Sequence, residues 1–204
     1  MDINIINQSI NHLIKDEKLK SLIDNYSKPK FIKNSNYFDA LSKSIIYQQL
    51  SVKVAKIIYT RFLALFKNKV ANPIQYLSIN SDNLRGIGLS KQKIAYIENL
   101  SSYFINNQKS LNLISLSNEQ VVNELIIIKG IGRWTIDMFL MFTLFRTDIL
   151  PVGDLGIKKA FKQLYNLKEL PNEAYMINQS KEWSPYRTIA CCYLWMIIDD
   201  GDVW

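Results

Sequence analysis

The stretch NELIIIKGIGRWTIDMF, residues 123–139, limits the possible folds of this chain more than any other segment. Its first half has the pattern of a buried parallel strand that enters a glycine-rich loop, and Asp154 lies 24 residues beyond Gly130, near the place of a ribose-binding acid. The alternative is a pair of helices joined by a tight turn, in which Gly130 and Gly132 allow positive φ angles and the close approach of another backbone. The strand would lead to a dinucleotide site, whereas the start of a second helix would bind an anion such as a DNA phosphate.

The rest of the sequence favours the pair of helices. Thr135 stands where the G-x-G-x-x-G pattern requires a third glycine, and no second strand with a helical crossover follows. The 204 residues include only 7 glycines and 5 prolines, too few for a turn-rich β-protein, and show no alternating strand pattern. We therefore predict an all-α fold of roughly nine or ten helices. A simple helix–helix turn with glycine at the C-terminal cap remains the alternative to a DNA-binding hairpin.

Capping residues and apolar spacing predict individual helices. A helix from about Ser51 to Phe66 is expected to bury Val54, Ile57, Ile58, Phe62 and Leu65, and the hairpin's second helix is expected over Arg133 to Phe145. The remaining predicted helix starts are Ser35 or Asn36, Pro73, Ser90, a capping box of Ser117 with Gln120, and Ser184 followed by Pro185.

The net charge and the cysteine content limit the binding partners, metal sites and cell compartment that can be expected for this chain. The net charge is +7 and the pI about 9.3, which favours a polyanionic partner. Only the adjacent Cys191 and Cys192 are present, so a cysteine-rich metal or iron–sulfur site is excluded and a reducing compartment is expected. The N-terminus lacks a signal-peptide pattern and the longest apolar run, residues 138–145, is too short to span a bilayer. We expect a cytoplasmic, nucleoid-associated protein with no membrane partner.

Four segments, in this order, resemble the helix-hairpin-helix superfamily of DNA glycosylases and, within it, 3-methyladenine DNA glycosylase II of the compact, yeast-type branch. They cover most of residues 36–198, and about 35 residues precede them, so the N-terminal β-domain of other members is expected to be absent. The segments are YFDALSKSIIYQQLSVKVAKIIYTRF, LRGIGLSKQKIAYIENL, LIIIKGIGRWTIDMFLMFTLFRTDILPVGDLGIKKAF and WSPYRTIACCYLWMI.

The resemblance implies a single domain over residues 1–204, made of two helical lobes with a DNA-binding cleft. It implies a monomeric enzyme that binds double-stranded DNA containing alkylated bases, flips an alkylated purine such as 3-methyladenine or 7-methylguanine, and hydrolyses its N-glycosidic bond. The rival functions are a glycosylase for oxidised or mismatched bases and a non-catalytic binder of damaged DNA with the same fold.

Asp154 matches the family's catalytic acid, in the loop after the hairpin's second helix. From the sequence pattern alone it is most simply an N-cap for the helix that begins LGIKKAF, and the two roles are compatible. The helix start and the nearby Lys158 and Lys159 would favour an ionised carboxylate, which stabilises an oxocarbenium-like transition state or orients the attacking water. An alkylated purine already carries positive charge and leaves without a general acid, so one carboxylate suffices in a chain whose only histidine is His12.

Trp134 stands where bifunctional relatives carry a lysine that forms a Schiff base, so the resemblance implies a hydrolase without AP-lyase activity. In the alkylpurine family this tryptophan lines the base pocket, where an indole face suits a cationic base. By the same resemblance Trp195 is a second pocket aromatic, and Leu155, next to Asp154, completes the expected pocket. The structural alternative for both tryptophans is burial in the core.

The remaining expected contacts with DNA also come from the resemblance. Gln49, with Leu50 beside it, is expected to fill the gap that the flipped base leaves, unless it is simply a polar helix-end residue facing water. The hairpin is expected to bind the DNA backbone and, through main-chain carbonyls, a structural Na⁺ or K⁺, with no other cofactor required. The backbone-binding residues are Lys129, which replaces the family's usual proline, with Gly130, Gly132, Arg133 and Thr135, and the carbonyls are those of Ile126, Ile128 and Ile131.

Three further residues stay open at this point. Tyr186 and Arg187 could contact DNA or pack the last helix, and His12 is expected at the surface rather than as a ligand.

Overall fold

The computed structural model describes residues 1–107 and 112–198, and within these ranges the chain is helical and forms no strand. The predicted all-α fold is therefore confirmed. The described residues form three short 3₁₀ turns, Lys67–Lys69, Leu113–Ser115 and Lys181–Trp183, and twelve α-helices: α1 (Ile3–Leu13), α2 (Glu17–Asn25), α3 (Tyr37–Tyr47), α4 (Val52–Ala64), α5 (Pro73–Leu77), α6 (Ser81–Gly86), α7 (Lys91–Asn106), α8 (Asn118–Ile126), α9 (Arg133–Phe142), α10 (Leu155–Leu164), α11 (Glu173–Gln179) and α12 (Arg187–Ile198). None of these helices has the length and apolar character needed to cross a membrane.

The capping predictions are confirmed at most helix starts. Asn36, rather than Ser35, caps α3, since its side chain accepts the Asp39 N–H at 3.0 Å. Ser51 and Ser90 cap α4 and α7, and Pro73 is the first residue of α5. The capping box of Ser117 with Gln120 is present at α8. These starts follow from contacts between residues two or three positions apart, which a sequence displays directly.

The predicted buried face of α4 is wrong in part. Val54 and Ile57 are 45% and 47% exposed, whereas the buried residues are Ala55, Ile58 and Phe62. The apolar residues of α4 form two neighbouring stripes, because successive side chains are about 100° apart around a helix. The stripe that contains Ala55 is the buried one, and α4 packs against α3.

Two predicted helix boundaries are also wrong. α9 ends at Phe142 instead of Phe145, which has a φ of 56°, and the Arg146 N–H closes the turn on the Leu140 carbonyl at 2.9 Å. α12 begins at Arg187 instead of Pro185. The Ser184 hydroxyl donates to the Asp148 carboxylate at 2.8 Å and is therefore engaged outside the helix start.

The chain divides into two compact units. One unit spans Asn34–Phe139, and α7 packs within it against α3, α5 and α6. Its core contains the aromatic residues Phe38, Phe62 and Tyr76, whose rings lie in edge or tilted contact, and the buried Tyr76 hydroxyl donates to the Ile94 carbonyl at 3.0 Å. This unit holds α3 to α8 and most of α9, so it contains the whole hairpin turn.

The other unit comprises Met1–Lys33 and the described part of Leu140–Trp204. Its centre is α12, which is buried from Thr188 to Met196 and packs against α1, α2 and α10. Cys191 and Cys192 lie in this core as fully buried thiols that are not joined in a disulfide. The Trp183 indole N–H donates to the Asp16 carboxylate at 2.8 Å and ties the segment before α12 to the start of α2. This unit places Asp154 and α10 beside α12.

Candidate active site and DNA-binding elements

Asp154 lies at the start of α10 and is 9% exposed. Its Oδ1 accepts the Ile157 main-chain N–H at 2.7 Å, which is the N-cap bond expected from the sequence. The same oxygen accepts the indole N–H of Trp195 at 3.0 Å. Two donors from two helices, α10 and α12, therefore fix the orientation of this carboxylate. A preorganised carboxylate of this kind is suited to stabilising positive charge that develops in a transition state.

Trp195 is 4% exposed, and its ring centroid lies 5.9 Å from that of Phe142. The structural alternative noted from the sequence, burial in the core, is thus confirmed for this residue. Its indole N–H points to Asp154, a role that the sequence did not indicate. Its contact with a substrate base stays a prediction. Leu155, the residue after Asp154, exposes 55% of its surface, so an apolar side chain is available next to the carboxylate.

Gly156 provides the space in which Asp154 and Trp195 meet. A Cβ atom at this position would lie 3.0 Å from Asp154 Oδ1 and 3.1 Å from Trp195 Cδ1, closer than ordinary van der Waals contact. Sequence reasoning did not single out Gly156. The signal was present as a glycine in the first turn of a helix, where it lowers helix stability and therefore indicates another requirement.

The hairpin turn has the positive φ predicted for Gly130 but not the one predicted for Gly132, and the close neighbour of Gly130 is a side chain rather than a backbone. Gly130 has a φ of +105°, and a Cβ there would lie 2.2 Å from the Tyr96 ring, so both positive φ and close packing require glycine. Gly132 has neither feature, since nothing lies within 4 Å of a Cβ built there and its φ is not in the left-handed region. The prediction of positive φ at Gly132 was wrong, because one glycine suffices for the reversal, and the approach of a DNA backbone to Gly132 stays a prediction.

The second helix of the hairpin begins at Arg133, as predicted. The first N–H groups of a helix have no carbonyl of their own helix to bond, so this start is suited to an anion. The exposed Lys129 lies just before it in the turn. The Arg133 side chain is 68% exposed and donates through Nε to the buried Asp137 at 2.8 Å. Burial raises the pKa of Asp137, although the hydrogen bond and the charge of Arg133 act in the opposite direction.

Thr135 is 1% exposed, and its hydroxyl accepts a hydrogen bond from Gln48 Nε2 at 3.0 Å. Its side chain is thus engaged inside the unit, and any contact of Thr135 with DNA would use the main chain. Gln48 also donates to the Gly130 carbonyl at 3.1 Å. Sequence reasoning passed over Gln48, because its partners lie more than eighty residues away in the chain.

The segment expected to enter DNA is the turn between α3 and α4, which follows Gln48. Gln49 has a φ of 57° and an exposed side chain, and Leu50 is 37% exposed. A non-glycine residue at positive φ is uncommon and marks a turn whose conformation its surroundings impose. The structure therefore presents both predicted intercalating side chains at the surface, and their insertion into DNA stays a prediction.

The proposed cation ligands lie around the end of α8. Ile126 is the last residue of that helix, where carbonyls lack intrahelical partners and the helix dipole favours a cation. The Ile128 carbonyl already accepts the Ile131 N–H at 2.9 Å, and a carbonyl oxygen has a second lone pair for a cation. Main-chain oxygens are ligands that suit a hard cation such as Na⁺ or K⁺. The residues present fit such an ion, which remains a prediction.

Of the three residues left open by the sequence, His12 lies in α1, Arg187 is the first residue of α12 and Tyr186 precedes it. Arg187 donates to both oxygens of Asp148, at 2.5 and 2.7 Å, so it anchors the start of α12. Tyr186 makes an edge contact with the His12 ring, centroid to centroid 5.3 Å. His12 is half-buried, and its Nε2 bonds the Glu182 carbonyl at 2.8 Å. It packs against its own unit and is less exposed than expected.

Helices α8 and α9, with the reversal at Gly130 between them, form a helix-hairpin-helix, and the buried Asp154 follows at the start of α10. The chain belongs to the HhH-GPD superfamily of base excision DNA repair proteins, whose family model matches residues 42–185.

Relatives with assigned names support the same grouping. DNA-3-methyladenine glycosylase 1 of Schizosaccharomyces pombe is 31% identical over 182 residues, which is 88% of this chain and 80% of the relative. The solved structure of S. pombe 3-methyladenine DNA glycosylase in complex with abasic DNA matches with a TM-score of 0.85 and 30% identity, covering 93% of this chain and 95% of that one. DNA-3-methyladenine glycosidase of Bacillus halodurans matches with a TM-score of 0.74 and 36% identity, over 90% and 85% of the two chains. The resemblance inferred from the sequence is therefore confirmed.

Proposed function

We propose that this chain is a DNA glycosylase that removes alkylated purines, chiefly 3-methyladenine and 7-methylguanine, from duplex DNA and so begins base excision repair. The observation that carries the proposal is the buried carboxylate of Asp154, held on one oxygen by the Trp195 indole and the Ile157 amide. The similarity to proteins named as 3-methyladenine DNA glycosylases, over 88% and 93% of this chain, supports the substrate class.

The chemistry requires little more than this carboxylate. Once the base is flipped from the duplex, the C1′–N bond lengthens and positive charge develops on the sugar, which a fixed carboxylate stabilises. The base leaves with the bond's electron pair, and water adds to C1′ and gives up one proton to the Asp154 carboxylate, from which it passes to solvent. Since an alkylated purine carries a positive charge, it leaves as a neutral molecule and needs no acid to protonate it.

The identity of residue 134 supports hydrolysis without strand cleavage. A Schiff base requires an amine, and the half-buried Trp134, in the first turn of α9, offers none. Its indole face instead suits stacking on a cationic, electron-poor base. The enzyme is therefore expected to leave an intact abasic strand.

Duplex DNA is the partner that the hairpin and the net charge of +7 support. The start of α9 would bind phosphate, with Lys129 and Arg133 adding positive charge, and Gln49 and Leu50 would occupy the gap in the duplex. A monomeric state, a cytoplasmic location beside the chromosome and the hairpin cation belong to the same proposal.

A substrate panel tests the lesion class. Purified protein is incubated with duplexes that carry 7-methylguanine, 3-methyladenine or 8-oxoguanine, and the free base is quantified by chromatography. Release of the two methylated purines is expected, because their positive charge makes them good leaving groups. Release of 8-oxoguanine alone would assign the chain to oxidised bases, and release of no base would favour a non-catalytic binder of damaged DNA.

A further inference from the structure

One glutamine side chain joins the turn expected to enter DNA to the hairpin expected to hold the DNA backbone. Gln48 Nε2 donates to the Gly130 carbonyl at 3.1 Å and to the Thr135 hydroxyl at 3.0 Å. Gly130 is the residue at which the hairpin reverses, and Thr135 lies in the first turn of α9. All three residues belong to the same compact unit, so these bonds are part of its internal structure.

Lys93 holds the main chain of the same turn. Its Nζ donates to the Ile46 carbonyl at 2.7 Å and to the Gln48 carbonyl at 2.9 Å. These carbonyls lie at the end of α3, where the helix leaves its last carbonyls without intrahelical partners and the dipole attracts a cation. Gln48 is therefore fixed twice, through its side chain by the hairpin and through its carbonyl by α7.

The residue after this fixed point adopts an unusual conformation. Gln49 has a φ of 57°, which non-glycine residues rarely adopt, and it stands exposed with Leu50 between Gln48 and Ser51, the cap of α4. A conformation of this kind persists only where neighbouring bonds impose it. The bonds of Gln48 and Lys93 hold this turn together with a main-chain hydrogen bond across it, from the Leu50 N–H to the Tyr47 carbonyl at 3.3 Å.

We propose that Gln48, supported by Lys93, is a positioning residue that latches the Gln49–Leu50 turn to the hairpin. Phosphate binding by the hairpin and insertion of the Gln49–Leu50 turn are then coupled. When the hairpin binds a phosphate, the turn lies at a fixed distance from it, next to the base stack. This inference rests on the proposed function. Without the latch, the hairpin still binds intact DNA, but the turn inserts in only a fraction of the bound molecules.

The test compares the affinities of each variant for two duplexes of one sequence, one intact and one with a tetrahydrofuran abasic analogue. Gln48→Leu should lower the preference for the abasic duplex roughly ten-fold, a factor that corresponds to about 1.4 kcal/mol, while its affinity for the intact duplex stays unchanged. Thr135→Val, of similar volume, should show the same loss, and the double variant should lose little more. Gln163→Leu, at an exposed position of α10, is the matched control and should retain the wild-type preference.

Melting temperatures establish that each variant is folded. A folded Gln48→Leu protein with the wild-type preference would overturn the proposal, and if that variant does not fold, wild-type preference in Thr135→Val would overturn it. Equal affinities of the wild type for both duplexes would also overturn it, because there would be no insertion to position. Failure of the proposed function shows separately, as absence of base release from methylated DNA by the wild type.

Discussion

At the scale of single residues, the hydrogen bond from Trp195 to Asp154 raises one question. Trp195 either orients the carboxylate for catalysis or only stabilises the fold, and the two roles predict different effects when the bond is lost. The indole N–H reaches Asp154 Oδ1 at 3.0 Å inside a core that excludes water. A hydrogen bond to a charged group contributes about 1.5–3 kcal/mol. If that contribution serves the transition state, its loss appears in the rate of base release rather than in folding alone.

Trp195→Phe keeps an aromatic ring and removes this donor. We expect single-turnover base release to slow by roughly ten-fold to a hundred-fold, because the Asp154 carboxylate loses the indole N–H that helps to orient it.

Trp183→Phe is the matched control, since it removes an indole bond of the same kind, to Asp16, in the same unit. It should lower the melting temperature without slowing chemistry. Equal rates for Trp195→Phe and Trp183→Phe would show that Trp195 serves the fold only.

At the scale of elements, the hairpin depends on one glycine. Gly130→Ala places a Cβ 2.2 Å from the Tyr96 ring at a φ of +105°, so the turn or the ring must move. We expect the free energy of unfolding to fall by about 2–4 kcal/mol, from strain and overpacking together.

Urea denaturation measures this change in unfolding free energy. Gly86→Ala, at the end of α6 in the same unit, is the control for Gly130→Ala. Nothing lies within 4 Å of a Cβ there, and its φ is ordinary, so its effect should stay within about 0.5 kcal/mol. Similar losses in the two variants would contradict the assignment of the reversal to Gly130.

The helices and the hairpin also show which features of the fold can be predicted from the sequence. Helix starts such as Asn36, Ser90 and Ser117 could be predicted because each depends on neighbours in the chain. The reversal at Gly130 was predictable in kind, but the choice between Gly130 and Gly132 depends on Tyr96, an aromatic ring from another helix.

For the candidate-site residues too, contacts between neighbours in the chain could be predicted, and contacts that depend on the packing of distant helices could not. Asp154 was predicted from its place before α10 and from the family resemblance, and the structure confirms its N-cap bond. Its bond to Trp195 and the space at Gly156 depend on how α10 packs against α12, which no local pattern displays. Gln48 was missed for the same reason.

At the scale of the whole molecule, the ion pair of Asp148 with Arg187 makes stability depend on pH. Burial alone would raise the pKa of the Asp148 carboxyl, but hydrogen bonds from Arg187 and Ser184 and the charge of Arg187 outweigh it and hold that pKa below its usual value. A lowered folded pKa means that the stabilisation is fully present above the unfolded value of about 3.9 and is lost as pH falls through the folded pKa.

Asp148→Asn should therefore cost about 1–2 kcal/mol of unfolding free energy at pH 6–7, and the difference from wild type should shrink as pH falls through the lowered folded pKa of Asp148. Urea denaturation across this range measures it. Asp24→Asn, in an exposed pair with Lys20, is the control and should change stability little at any pH. A cost for Asp148→Asn that persists unchanged in acid would contradict the electrostatic explanation.

The central claim is that Asp154 carries a hydrolytic reaction that leaves the strand intact. Base release from methylated duplex DNA by wild type and Asp154→Asn, with each product run on a denaturing gel before and after hot alkali, measures both parts directly. We predict release by wild type, a loss of at least about a hundred-fold in Asp154→Asn, and strand breaks only after alkali. Undiminished release by Asp154→Asn, or breaks without alkali, would contradict the account.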